Sequence, residues 1–311
     1  MKIAILGATS QIAKDLILSI RDREPEHELI LFSRSNKKVS EQFELLGESV
    51  NYPCFEYVDF NEQFSFDVII NFIGIGDPAA ALDMGRDIFE VTEYFDNLVL
   101  NYLRNCPSSK YIFISSGAVF GGNFERPVDN NTTSVIHLNQ LQQTDWYGVA
   151  KLNAEAKHRA IQHFDIVDVR VFNYFSSTLN VNARFLITDI IRAIKNKEKL
   201  QTAPENIVRD FITPVDFYYL ISRIIQSPPG VNFALDCYTK EPVDKFSLLN
   251  TFSEKYGLEY CIKRDGVSVN ATGAKLNYYS INKIAYKVGY QPSMTSLEGV
   301  LDQVRKMSLI S

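Results

Sequence analysis

Residues 5–16 read ILGATSQIAKDL, directly after Lys2-Ile3-Ala4. The run Lys2–Leu6 is short and apolar, as a strand buried on both faces is. Gly7 breaks it, and Ser10–Arg21 then carries apolar residues at helical spacing. A strand, a tight turn and a helix in that order aim free N–H groups and the positive end of a helix dipole at a phosphate. In the dinucleotide-binding form of this turn the first glycine permits the turn, the second admits the pyrophosphate and the third lets helix and strand pack closely. Here Gly7 keeps the first place, Ser10 stands at the second and Ala13 at the third. Ser10 is small, and its hydroxyl suits either a phosphate oxygen or the helix N-cap. Ala13 adds only a methyl group. The loop therefore predicts a pyrophosphate held by Gly7, Thr9, Ser10, Gln11 and Ile12, against the alternative of a plain strand–helix turn.

The chain has 311 residues, enough for one large or two modest domains. Apolar residues make up 46% and charged residues 22%, an ordinary globular balance. The net charge of −5 with scattered basic residues gives no footprint for nucleic acid or an anionic membrane. The densest basic group, Lys195-Asn196-Lys197-Glu198-Lys199, reads as a solvated helix end. No apolar run reaches the roughly 18 residues of a membrane helix, and the N-terminus reads as a strand, not a signal peptide. Cys54, Cys106, Cys237 and Cys261 lie far apart with no CxxC spacing, which points to reduced thiols in a cytoplasmic protein. Four histidines in all speak against a histidine-based metal centre, and no metal is expected.

Outward from the opening unit, strands and helices alternate. Strands are predicted over Lys2–Leu6, Glu28–Phe32, Asp67–Phe72, Lys110–Ser115 and Ile166–Phe172, and helices over Ser10–Arg21, Ile88–Asn105 and Thr144–His163. This alternation predicts an α/β fold, a Rossmann-type doubly wound parallel sheet. After Phe172 the pattern is less regular, with helices over Ala183–Lys195 and Pro214–Gln226 and an extended piece at Val231–Leu235. The expected organisation is a dinucleotide-binding domain over 1–172, with 206–228 returning to it, and a smaller C-terminal α/β substrate domain over 173–311.

The second strand runs into Ser33-Arg34-Ser35. An Asp or Glu there would bond a ribose 2′-hydroxyl, whereas Arg34, helped by Ser33, suits a 2′-phosphate. This predicts NADP(H) in preference to NAD(H), with an exposed loop arginine as the plainer reading. Further on, Tyr147-Gly148-Val149-Ala150-Lys151 places a phenol and an ammonium on one helix face. A nearby ammonium favours the phenolate, so the Tyr147 pKa is expected to fall toward neutrality. Such a tyrosine can exchange a proton with a carbonyl or alcohol oxygen. Ser116, at the end of a predicted strand, can bond the same oxygen.

Taken together these segments resemble the extended short-chain dehydrogenases/reductases, the NAD-dependent epimerase/dehydratase family acting on nucleotide sugars, over nearly the full length. ISSGAVFGG (114–122) is similar to the segment carrying the catalytic Ser or Thr, which falls on Ser116, and YGVAKLNAE (147–155) to the Tyr/Lys helix. VRVFNYFS (169–176) resembles the strand whose asparagine, here Asn173, contacts the sugar diphosphate. RDFITPVD (209–216) resembles the arginine-bearing segment, which implies Arg209 near the substrate phosphate or nucleoside. VDF (58–60) puts Asp59 where the family holds the adenine. NFIGIG (71–76) matches the turn over the cofactor, implying contacts from Phe72, Ile73 and Gly74, and Asn97 matches a helix position near it. VGYQPSMTSLEGV (288–300) matches the entry to the closing helix. The resemblance also implies a homodimer and a small nucleotide-sugar substrate. The sequence departs from the family at Ser10 and Ala13, at Tyr174-Phe175-Ser176-Ser177 in place of a Gly-Pro turn, and in the polar stretch between Gly122 and Tyr147.

Dehydratases of the family carry Thr-Asp-Glu where this chain has Ser115-Ser116-Gly117, which disfavours dehydration. The epimerase–reductases use a Cys beside the Ser and a His beyond the Asn, places held here by Gly117 and around Thr178. Two enzyme readings survive: reduction of a 4-keto nucleotide sugar by NADPH, which Arg34 favours, and epimerisation through a transient ketone on tightly held NAD. A cofactor-binding regulator without catalysis is the third, opposed by the intact Ser116, Tyr147 and Lys151.

Overall fold

The computed structural model describes residues 1–48, 51–75, 78–122, 124–183, 185–263 and 275–307. Strands β1 (Lys2–Leu6), β2 (Glu28–Phe32), β3 (Cys54–Phe55), β4 (Val68–Asn71), β5 (Lys110–Ser116) and β6 (Ile166–Val171) build the first half. Helices α1 (Gln11–Arg23), α2 (Asn36–Glu44), α3 (Pro78–Met84), α4 (Asp87–Asn105) and α5 (Trp146–Ala160) lie between them. The second half adds β7 (Asn173–Tyr174), α6 (Leu186–Asn196), β8 (Leu200–Thr202), β9 (Val208–Arg209), β10 (Phe211–Ile212) and α7 (Pro214–Gln226). It closes with β11 (Asn232–Asp236), β12 (Val243–Asp244), α8 (Lys245–Tyr256), β13 (Tyr260–Ile262), β14 (Asn277–Tyr278) and α9 (Ser296–Lys306).

The central sheet has seven strands in the order β11-β6-β5-β4-β1-β2-β3, all parallel. The connections reverse direction between β1 and β4, and a doubly wound sheet opens its binding crevice there, at the carboxyl ends of the strands. Side chains alternate across the pleat. Ile3 and Ile5 point into a core shared with Leu16 and Ile17 of α1 and Leu220 and Ile221 of α7. Ala4 and Leu6 point into the opposite core, with Val99 and Leu103 of α4 and Ala154 of α5. A third core joins α6, α8 and α9 through Ile190, Leu249, Phe252 and Val304. The Rossmann-type α/β architecture is thus present.

The predicted elements recur with small shifts. The extended piece expected at Val231–Leu235 is β11, which pairs with β6 and completes the sheet. The elements that escaped the sequence include α2, β3 and α8. Helix α2 buries only Val39 and Phe43, one turn apart, and has too few apolar residues to stand out in the sequence. Strand β3 has two residues, too few for a pattern. Helix α8 is set by Asp244, whose carboxylate accepts from the N–H groups of Phe246 and Ser247.

Candidate active site

The opening turn is built around Gly7. Its φ of +78° suits glycine, and a Cβ there would lie 3.1 Å from the backbone of Phe72 and Ile73. Ser10 has an ordinary extended backbone, so no glycine is needed, and its hydroxyl caps α1 by accepting from Ala13 N at 3.2 Å. With that cap directed to Ala13, the N–H groups of Gln11 and Ile12 begin the helix with no intrahelical acceptor, and both residues line the adjoining cleft. Ala13 is fully buried at the packing contact. Free N–H donors at a helix N-terminus, reached over a glycine with no Cβ, fit a dinucleotide pyrophosphate.

The cleft holds about 1950 Å³. Of the expected cofactor contacts, Ser10, Gln11, Ile12, Phe72, Gly74, Tyr147 and Lys151 line it; Gly7, Thr9, Ser33, Arg34, Asp59, Ile73 and Asn97 lie outside its wall. Arg34 is exposed where β2 ends. Ser33 is fully buried, and its hydroxyl accepts from Ser35 N at 3.1 Å. Asp59 is exposed and accepts from Glu56 N at 3.3 Å. Asn97 does not turn to the cleft; its Oδ1 accepts from Lys157 Nζ on α5 at 2.9 Å. Gly76, within the matched turn, lies outside the described residues. Tyr57, missed in the sequence, stands near the charge of Arg34 and the backbone of Gly7, and burial raises its phenol to about 12.

Tyr147 and Lys151 share a face of α5. The helix can approach the strand β5 exit because residue 148 is glycine: a Cβ there would lie 2.5 Å from the Ala118 carbonyl oxygen. That approach brings the Tyr147 phenol near enough to Ser116 for Ser116 to favour its ionised form. Ser116 Oγ also accepts from Ala118 N at 3.2 Å and lies 3.4 Å from the hydroxyl of Tyr278. Ser115 takes no such part; its hydroxyl donates to Glu155 Oε1 at 2.6 Å. Beside Ser116, residue 117 has no room for a side chain, since a Cβ would sit 2.3 Å from the Phe172 ring.

The electrostatics correct one expectation. Lys151 does not lower the Tyr147 pKa. Its ammonium donates to the carbonyls of Ile114 (2.8 Å) and Ile73 (3.4 Å) and lies over the Phe113 ring at 4.3 Å. Burial instead pushes the Tyr147 phenol well above its ordinary value; Tyr278 adds to the rise and the Ser116 hydrogen bond opposes it. Burial draws Lys151 down to about 8, with Asp96, Glu155 and Asp168 holding it up.

At the other end of the cleft, Asn173 lines the wall, and its amide donates to the carbonyl of Tyr278 at 2.9 Å. Arg209 stands off the wall, 3% exposed, donating to its own neighbour Val208 O at 2.8 Å. Tyr278, paired with Arg209 in the β9–β14 ladder, and Lys275, 4.6 Å from the Tyr278 ring centre, line the cleft in its place. Burial and the Arg209 charge lower Lys275 to about 8, Asp145 opposing. Nothing in the sequence marks Tyr278, because 162 positions separate it from Ser116.

A family model, the NAD dependent epimerase/dehydratase family, matches residues 3–234, and the chain belongs to that family. A search of curated protein sequences finds no significant match. Among solved structures, the chain is similar to UDP-glucuronic acid 4-epimerase from Bacillus cereus in complex with UDP-glucuronic acid and NAD. The TM-score is 0.79 at 15% identity, over 99% of each chain. UDP-glucose 4-epimerase from Bifidobacterium longum, in complex with NAD+ and UDP, gives a TM-score of 0.74 at 18% identity, over 99% of this chain and 98% of that one. A dTDP-glucose 4,6-dehydratase from Bacillus anthracis, in complex with NAD, gives 0.73 at 14% identity, over 98% and 96%. At these identities the likeness is one of fold. Among the described residues no helix is long and apolar enough to cross a membrane.

Proposed function

We propose that the protein is a nucleotide-sugar 4-epimerase working with NAD(H), with residues 1–172 holding mainly the dinucleotide, residues 173–311 mainly the sugar nucleotide, and 206–228 returning to the first part. The observation that carries this reading is the meeting of the Ser116, Tyr147 and Tyr278 hydroxyls beside Lys151, next to a position 117 closed by Phe172. Those groups serve proton exchange at one sugar oxygen. Dehydration needs in addition an acid and a carbon base, and the carboxylates that dehydratases carry beside the Ser have no counterpart at Gly117. The likeness to 4-epimerases bound to NAD supports the same reading.

Gly7, Thr9, Ser10, Gln11 and Ile12 would hold the pyrophosphate; Ser33, Arg34 and Asp59 the adenosine end; Phe72, Ile73, Gly74 and Lys151 the nicotinamide end. A bound nicotinamide supplies a reversible hydride acceptor. Ser116 orients the sugar oxygen, and Tyr147 exchanges a proton with it: burial favours the protonated phenol that donates in the reducing half, and the positive charge of an oxidised nicotinamide beside it would favour the phenolate that the oxidising half needs. Lys151 supplies positive charge at the cleft wall. Asn173, Lys275 and Tyr278 shape the substrate end, with Arg209 behind them.

Reduction by NADPH is the second reading, favoured by exposed Arg34 at the end of β2 with no acid beside it. Heat-denatured purified protein should release NAD(H), and incubation with a UDP-sugar should interconvert C4 epimers with no net cofactor consumption. Purification free of NAD, with stoichiometric NADPH oxidation by a keto-sugar nucleotide, would establish the reductase instead.

A further inference from the structure

The first turns of α1 and the segment after Asn173, where the chain departs from the family pattern, meet in one partly buried hydrogen-bond network. Gln11 and Asp15 lie one turn apart on α1. Gln11 Nε2 donates to Ser176 Oγ at 3.0 Å and to Asp15 Oδ2 at 3.1 Å, and meets the Thr178 hydroxyl. The Asp15 carboxylate also accepts from the Tyr174 hydroxyl at 2.8 Å and the Thr178 hydroxyl at 2.5 Å. Lys14 Nζ donates to Thr178 O at 3.3 Å and to Gln11 Oε1 at 3.2 Å. Asp15 is 4% exposed and Ser176 fully buried. A Gly-Pro turn has no side chains that could make these bonds.

Both sides of this network reach the cleft wall. Ser10, Gln11 and Ile12 form the wall at the N-terminus of α1, and Asn173, Tyr174 and Leu179 form the wall toward α6. We propose that Asp15 is a positioning residue that couples these two walls, so that a dinucleotide on the α1 N-terminus tightens binding of the nucleotide diphosphate beside the 173–179 segment, and the reverse. The inference rests on the cofactor and substrate classes proposed above. A largely buried carboxylate accepting from three side chains ties their positions together, so that moving one donor weakens the set. Ordering the start of α1 therefore orders the 174–178 segment. Linkage makes the effect equal in both directions.

The test measures UDP affinity by calorimetry on the full chain, first stripped of co-purifying NAD(H) and then at NAD saturation. In the native protein NAD should tighten UDP binding by a factor in the usual coupling range of about 5- to 150-fold. In Asp15→Asn, whose amide sets a donor against a donor, that factor should fall toward one while both ligands still bind. Thr178→Val removes the hydroxyl's bonds to Asp15, Gln11 and Ser176 but leaves Tyr174 and Gln11 on the carboxylate, and should lose part of the factor; it also serves if Asp15→Asn fails to fold. Undiminished coupling in a folded variant, or no coupling in a native protein that binds both ligands, overturns the inference and leaves the functional reading standing. A native protein that binds neither NAD nor UDP overturns both.

Discussion

Three hydroxyls at one point of the cleft set the residue-scale chemistry. Burial raises the Tyr147 phenol above its ordinary value, so Tyr147 carries its proton through neutral pH and is poised as a donor. A positioned proton donor is worth about 10²–10⁴-fold in rate. Tyr147→Phe keeps the ring and should cost that factor in turnover while NAD binding by calorimetry stays near native; near-native turnover would remove Tyr147 from the mechanism. This pair of residues was legible because four positions on a helix always share a face. So was Gly7, since a tight turn from strand to helix favours a left-handed backbone. Tyr278 was not legible, because its place beside Ser116 depends on the β9–β14 pairing.

Between elements, the contact of α4, α5 and β6 is fixed by charge. Fully buried His158 lies between two fully buried carboxylates, with Nδ1 2.6 Å from Asp168 and Nε2 2.7 Å from Asp96. Lys157 pairs with Asp96 and Arg159 with Asp168, each at 2.6 Å. Burial alone would lower the His158 pKa, but Asp168 and Asp96 overcome it and raise it to about 9. A raised folded pKa gives stability that is fully present below the unfolded value, about 6.5, and lost as pH rises through about 9. Denaturation midpoints should therefore decline between those pH values. His158→Leu leaves two buried carboxylates without the cation between them, and breaking such a pair costs about 3–5 kcal/mol. Urea denaturation at pH 6.5 should show that loss and a flatter alkaline decline; an unchanged midpoint would refute the account. The histidine was visible in the sequence only as one of four, because neither carboxylate lies beside it along the chain.

At the scale of the whole molecule, the first 172 residues lack β11, which pairs along β6, and α7, whose Leu220 and Ile221 share the core of Ile3, Ile5 and Leu16. A chain ending at 172 should therefore expose an apolar sheet face and an open strand edge, and aggregate without a cooperative transition by circular dichroism. A soluble, cooperatively unfolding fragment would show that the first half folds alone. The sequence by itself determined the βα alternation, the Gly7 turn and the Tyr147–Lys151 helix, because each rests on local periodicity or on one residue's backbone preference. Tertiary structure alone decided that Lys151 faces the carbonyls of Ile73 and Ile114, that Arg209 stands behind Tyr278, and that Asp15 meets Thr178. Each of these is a contact between distant segments, and its partner is selected by burial and hydrogen-bond satisfaction once the layers have packed.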